Sequence, residues 1–146
     1  MIRVGEYNDL KVLRNTNIGL YLDDGKEGIL LPKRFVPAGA KEGEVLKVFI
    51  YHDGEDRLIA TTQHPTGILG DIVRLPVVSV TPHGAFADWG LMKDIFIPKS
   101  GILDRMIPKG EYLVKIVLDE RTGRLAATEK FESSLSNENL SVKEKD

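Results

Sequence analysis

The stretch Thr16-Asn17-Ile18-Gly19-Leu20-Tyr21-Leu22-Asp23 returns 65 positions later as Thr81-Pro82-His83-Gly84-Ala85-Phe86-Ala87-Asp88. Each copy opens on a threonine turn and closes on an aspartate. Side chains alternate faces along a strand, so Leu20 and Leu22 share one side while Tyr21 sides with Asp23. Phe86 sides with Asp88 in the same way. An unpaired carboxylate is rarely buried, which puts each aromatic ring on the solvent face of its strand.

Working outward from this pair, the whole chain repeats. Gly5, Leu10 and Val12 reappear as Gly70, Leu75 and Val77 at the same offset; Ile29, Pro32 and Lys33 reappear as Ile95, Pro98 and Lys99 one residue further on. Gly43, Glu44 and Leu46 align with Gly110, Glu111 and Leu113 at an offset of 67, as do Arg57, Leu58, Ala60 and Thr61 with Arg124, Leu125, Ala127 and Thr128. The drift falls in loops, as small insertions in a duplicated module would produce. Residues 1–64 and 65–131 therefore read as two modules, and 132–146 as a polar tail or linker. Its end in Lys143-Glu144-Lys145-Asp146 suits a piece of a longer protein.

Five strands are expected in each module, from their β-branched and aliphatic content. They fall at Asp9 to Arg14, Gly19 to Asp23, Gly28 to Leu31, Glu44 to Tyr51 and Arg57 to Thr61. The second set is Val73 to Val80, Gly84 to Asp88, Asp94 to Ile97, Glu111 to Leu118 and Arg124 to Thr128. A proline ends each third strand, and a short helical turn is expected after it. Five short strands with one irregular insert predict an all-β chain of two tandem five-stranded Greek-key barrels of the oligonucleotide-binding type. The connection Thr62 to Leu69 is short enough to keep the barrels touching.

Composition narrows the function. Apolar residues at 42% and charged residues at 29% place the chain among soluble globular proteins. No apolar run is long enough to span a membrane, and Arg3, Glu6 and Asp9 interrupt any signal-peptide core, so a cytoplasmic location is the default. The absence of cysteine excludes disulfides and thiolate metal sites. His52, His64 and His83 lack metal-ligand spacing, and no phosphate loop or nucleophile elbow is present, so neither an enzyme nor a cofactor is expected. A net charge of −2 speaks against a generic basic nucleic-acid binder, so any such role rests on a local surface.

Both modules resemble the S1-type RNA-binding domain. The second carries the pattern as His83-Gly84-Ala85-Phe86-Ala87, Asp94-Ile95-Phe96-Ile97, Gly110, and Asp119 with Arg124. The first carries Ile18-Gly19-Leu20-Tyr21-Leu22, Glu27-Gly28-Ile29-Leu30-Leu31, Gly43 and Arg57. The arrangement is also similar to the N-terminal part of bacterial conserved-virulence-factor-B proteins, which implies further S1-type and winged-helix domains in a longer parent and a role as a regulator of gene expression. The resemblance implies single-stranded RNA as the partner, met by Tyr21 and Arg57 in one module and by His83, Phe86, Asp119 and Arg124 in the other. Lys33 and Lys99, just past the third strands, are candidates for phosphate contact. In this alignment Leu31 and Ile97 replace the family's third-strand histidine, and His52 is the counterpart of Asp119, with Asp53 beside it. Trp89 is expected to plug a loop onto the barrel. The competing reading is a protein-interaction or scaffold module with little nucleic-acid affinity, since such barrels are widely reused.

Overall fold

Ten strands follow the duplicated pattern in the computed structural model, which describes residues 2–119 and 121–131; the tail expected at 132–146 lies outside the described residues. The first barrel is built from β1 (Tyr7–Thr16), β2 (Gly19–Leu22), β3 (Ile29–Pro32), β4 (Val45–His52) and β5 (Leu58–Thr61). The second is built from β6 (Ile72–Thr81), β7 (Gly84–Ala87), β8 (Ile95–Pro98), β9 (Glu111–Leu118) and β10 (Leu125–Thr128). One 3-10 turn follows each third strand, at Lys33–Phe35 and Lys99–Gly101. Both barrels are of the oligonucleotide-binding type, as the repeat implies. No helix among the described residues is long and apolar enough to cross a membrane.

In each copy the first strand is long because it serves two neighbours. Tyr7 to Lys11 pair with β4, and Val12 to Thr16 pair with β2 after a register shift between Val12 and Arg14. β6 shifts at the corresponding place, between Val77 and Ser79. A bulge bends a strand and increases its twist, which lets one strand turn the corner of a small barrel. The glycine that opens each second strand is also fixed by sterics. A Cβ on Gly19 would stand 2.1 Å from the Leu31 carbonyl oxygen, and one on Gly84 would stand 2.2 Å from that of Ile97.

The copies differ at the seam. The first barrel closes through a parallel contact of β3 with β5 at Leu30 and Ile59. In the second, the ladder runs β10-β9-β6-β7-β8 and stays open, although β8 and β10 lie side by side.

The fourth strand corrects the alignment drawn from sequence. Leu10 pairs with Leu46, whereas Leu75 pairs with Tyr112, so the structural partner of Leu46 is Tyr112 and not Leu113. Val48 and Val114 are both buried, as are Ile50 and Ile116, while Leu113 faces outward. The glycine identities drew the alignment one residue too far, and a one-residue slip reverses every face of a strand.

Two apolar clusters fill the fold. Leu20, Leu22, Leu31, Val48 and Ile50 centre the first barrel. The second cluster contains Leu75, Ile97 and Ile116 and continues across the junction to Phe49 and Tyr51 of β4. Trp89 sits between them, its ring centroid 5.7 Å from Phe49 and 6.4 Å from Tyr51, both edge-on. Its Nε1 donates to the Lys93 carbonyl at 2.8 Å. Trp89 is thus a plug, as the sequence suggests, but it plugs the joint between the barrels.

A shared core predicts one cooperative transition in urea. Trp89→Ala is expected to cost about 3–5 kcal/mol, the usual range for emptying a buried aromatic site. Two separate steps in the wild-type curve would contradict the shared core.

Candidate functional site

On the outward side of β7 and β8, Phe86 and Phe96 are register partners with ring centroids 5.1 Å apart. Both line a cleft of about 610 Å³. Ile95, Pro98, Leu125 and Ala126 add apolar surface from the two strands that fail to pair. His83, Asp119, Arg121 and Arg124 contribute polar groups to the same cleft. Asp119 holds the end of β9 in place: its backbone N–H donates to the Arg124 carbonyl at 2.8 Å, and its Oδ1 accepts from the Arg121 N–H at 3.0 Å.

The first barrel supplies another part of the lining, through Tyr51 and His52. Its β4–β5 turn reaches across to the second barrel. Arg124 Nε lies 3.0 Å from Asp56 Oδ1, and Lys93 Nζ donates to the carbonyls of Asp53 at 3.0 Å and His52 at 3.5 Å. Within the turn, Asp53 Oδ1 accepts from the backbone N–H groups of Glu55 and Arg57. Burial pushes the Asp53 carboxyl up, but these hydrogen bonds and the Arg57 charge outweigh it and leave the group below its ordinary value. Burial holds the His52 imidazole below its ordinary range, against the opposing pull of the Asp56 charge. The buried Nδ1 of His52 has no hydrogen-bond partner among the described residues. Burial and the charge of Asp88 raise the Asp94 carboxyl.

The equivalent face of the first barrel is arranged differently. Tyr21 points outward as expected, but its cross-strand neighbour is Leu30. The Arg14 guanidinium lies 4.4 Å over the Tyr21 ring and donates from Nη2 to the Glu27 carbonyl at 3.2 Å. Arg57 is engaged by Asp53 at 3.2 Å and Glu55 at 3.3 Å. The cation at Tyr21 is therefore Arg14, where the sequence suggested Arg57.

Of the residues singled out from sequence, the structure brings His83, Phe86, Asp119 and Arg124 into one cleft. Tyr21 and Arg57 lie on the first barrel. Lys33 is exposed at the start of its 3-10 turn, and Lys99 lines a different hollow of about 510 Å³ with Leu103 and Ile107. Two positional readings change. Leu31 and Ile97 are buried, so the outward third-strand positions are Leu30 and Phe96. The counterpart of Asp119 is Asp53, because both donate their backbone N–H to the carbonyl of the arginine that leads into the last strand. Phe96 was readable from the alternation Ile95-Phe96-Ile97. The contributions of Lys93 and His52 depend on contacts between distant segments and left no local signal.

Residues 4–63 match the family model described as S1 domain. An uncharacterized protein of Bacillus subtilis, YitL, is 32% identical over 97 residues, covering 66% of this chain and 33% of the relative. A Streptococcus pneumoniae crystal structure, described as a multidomain protein with nucleic acid binding domains, superposes with a TM-score of 0.77 over 91% of this chain. At 16% identity that likeness speaks for the fold. The chain spans about a third of the curated relative and about half of the solved one.

The lowered His52 value makes stability depend on pH. The unfolded chain takes up the proton first, near 6.5, so the contribution is complete above that value and is lost as pH falls through the lower folded value. Asp53 acts in the same direction in a lower window, below 3.8. Denaturation curves between about pH 7.5 and pH 5 should show stability falling, and His52→Gln should flatten part of that fall. Identical slopes in the two proteins would mean that the imidazole titrates alike in both states.

Proposed function

We propose that this chain binds single-stranded RNA in the cleft of the second barrel, a reading supported by the match of residues 4–63 to the S1 domain model and by the repeat of the same strand order in the second barrel. The observation that carries this reading is the Phe86–Phe96 pair on the cleft wall, with Arg124 in the same lining. Aromatic faces stack bases of any sequence, and an arginine at their side meets the phosphate backbone. A cleft with apolar walls and a few convergent polar groups has the general form of a ligand site. The description of the Streptococcus pneumoniae neighbour supports nucleic acid as the partner class.

Residues 1–64 and 65–131 are read as two modules with unequal duties. His83, Phe86, Asp119 and Arg124 form the binding set of the second module. Tyr21 and Arg57 of the first, together with Lys33 and Lys99, are secondary contacts along a longer strand. The similarity to the N-terminal part of conserved-virulence-factor-B proteins extends the reading to a cytoplasmic bacterial regulator of gene expression, working with further S1-type and winged-helix domains. The chain acts here as a binding module and not as a catalyst.

A second reading, a protein-interaction module, is favoured by one observation. Leu103 and Ile107 are 68% and 54% exposed and line the Lys99 hollow, a second apolar surface besides the aromatic cleft. Fluorescence anisotropy with labelled single-stranded RNA separates the two. Binding is expected to weaken with salt, as phosphate contacts require. Phe86→Ala should lose about 1–3 kcal/mol, the worth of one stacked base, whereas Tyr21→Ala should change little. Equal affinity for wild type, Phe86→Ala and Arg124→Ala would move the site elsewhere.

A further inference from the structure

The ion pair between the barrels suggests what the first one does for the second. We propose that Asp56 occupies the place of a phosphate on Arg124, so that the first barrel sets how tightly the second barrel's cleft takes single-stranded nucleic acid. This rests on the RNA-binding reading above and deepens it, by adding a residue of the first barrel to the determinants of affinity.

The turn itself supplies the first argument. Asp56 adopts a left-handed backbone with φ 69°, and the residue in the same place before Arg124 is Gly123, with φ 74°. Glycine takes this conformation without penalty, and aspartate and asparagine tolerate it better than other residues with a Cβ. The second copy shows that the turn works with no side chain there. In the first copy the same position carries a carboxylate, and that carboxylate lies against an arginine of the other barrel.

The second argument is placement. Lys93 binds the carbonyls of His52 and Asp53, and Trp89 packs on Phe49 and Tyr51, so the turn is held against the second barrel at its β4 end. Arg57 takes up the other two carboxylates of the turn, Asp53 and Glu55. Asp56 is left as the carboxylate that meets the cleft's arginine.

Exchangeability is the third. The two side chains are 46% and 56% exposed, and an ion pair in that setting is weak. A phosphate oxygen can therefore replace the carboxylate on Arg124 at small cost. Until it does, Asp56 both occupies the donor and repels the incoming chain.

The test uses the full chain, labelled single-stranded RNA and five variants: Asp56→Asn, Asp56→Gly, Arg124→Ala, Phe86→Ala and the double variant Asp56→Asn with Arg124→Ala. Asparagine keeps the shape and tolerates the left-handed backbone; glycine is the second copy's own solution. Both single Asp56 variants are expected to bind about two- to fivefold tighter than wild type, the scale of one exposed ion pair. The double variant should be no tighter than Arg124→Ala alone. Binding at or below the wild-type level in both Asp56 variants, with binding still lost in Phe86→Ala, would overturn this proposal and leave the RNA reading standing. A gain that persists in the double variant would also overturn it, since the effect would then be general repulsion. If wild type is silent but Asp56→Gly binds through Phe86, the role of Asp56 is supported. If no protein in the set binds, both readings fall together.

Discussion

Trp89 is the joint of this molecule. Its ring meets Phe49 and Tyr51 edge-on across the boundary between barrels, and its indole N–H is satisfied by the Lys93 carbonyl. Edge-to-face aromatic pairs add about 0.5–1.5 kcal/mol each beyond the area they bury. That geometry fixes the segment after β7, which carries Lys93. Lys93 in turn holds the β4–β5 turn of the first barrel, and the turn delivers Asp56 to Arg124. A tandem repeat joined by a loose linker would have two separate faces. Here the packing of one indole turns them into a single surface with a cleft at the join.

The two copies have diverged around that cleft. In the first, β3 and β5 meet in register, and the outward tyrosine lies beneath the Arg14 guanidinium. In the second, the corresponding strands stay unlinked, and the outward ring gains a second phenylalanine as its neighbour. β8 and β10 nevertheless lie side by side, with Ile95, Ile97 and Ala127 buried beneath the seam. Apolar surface, aromatic rings and an arginine thus accumulate on one barrel, while the other supplies a wall and a carboxylate. Duplication provided two equal starting points, and the differences between them follow from a few side chains.

Much of this was legible before any coordinates. The outward positions of Tyr21 and Phe86 follow from alternation beside an aspartate, and the paired glycines mark a close approach that the structure shows at Gly19 and Gly84. The register of the fourth strand was not legible, because the identity of Gly43-Glu44 with Gly110-Glu111 outweighed the weaker signal of burial. Phe96 was visible in principle between two isoleucines, yet the family pattern drew attention to Ile97. The arginines at the head of each last strand were recognised as equivalent. Their partners were not, since the Arg124–Asp56 contact joins segments far apart in the chain and no local spacing encodes it.

If ligand enters a cleft made by both barrels, residues of both must respond to it. Titrating the isotope-labelled chain with a short single-stranded RNA and following its amide and side-chain NMR signals tests this directly. The largest shifts are expected on Phe86, Phe96 and Arg124, with His52 and Asp56 of the first barrel moving at the same RNA concentration. Shifts centred on Tyr21 and Leu30, or confined to the second barrel with the first barrel's turn unmoved, would contradict it.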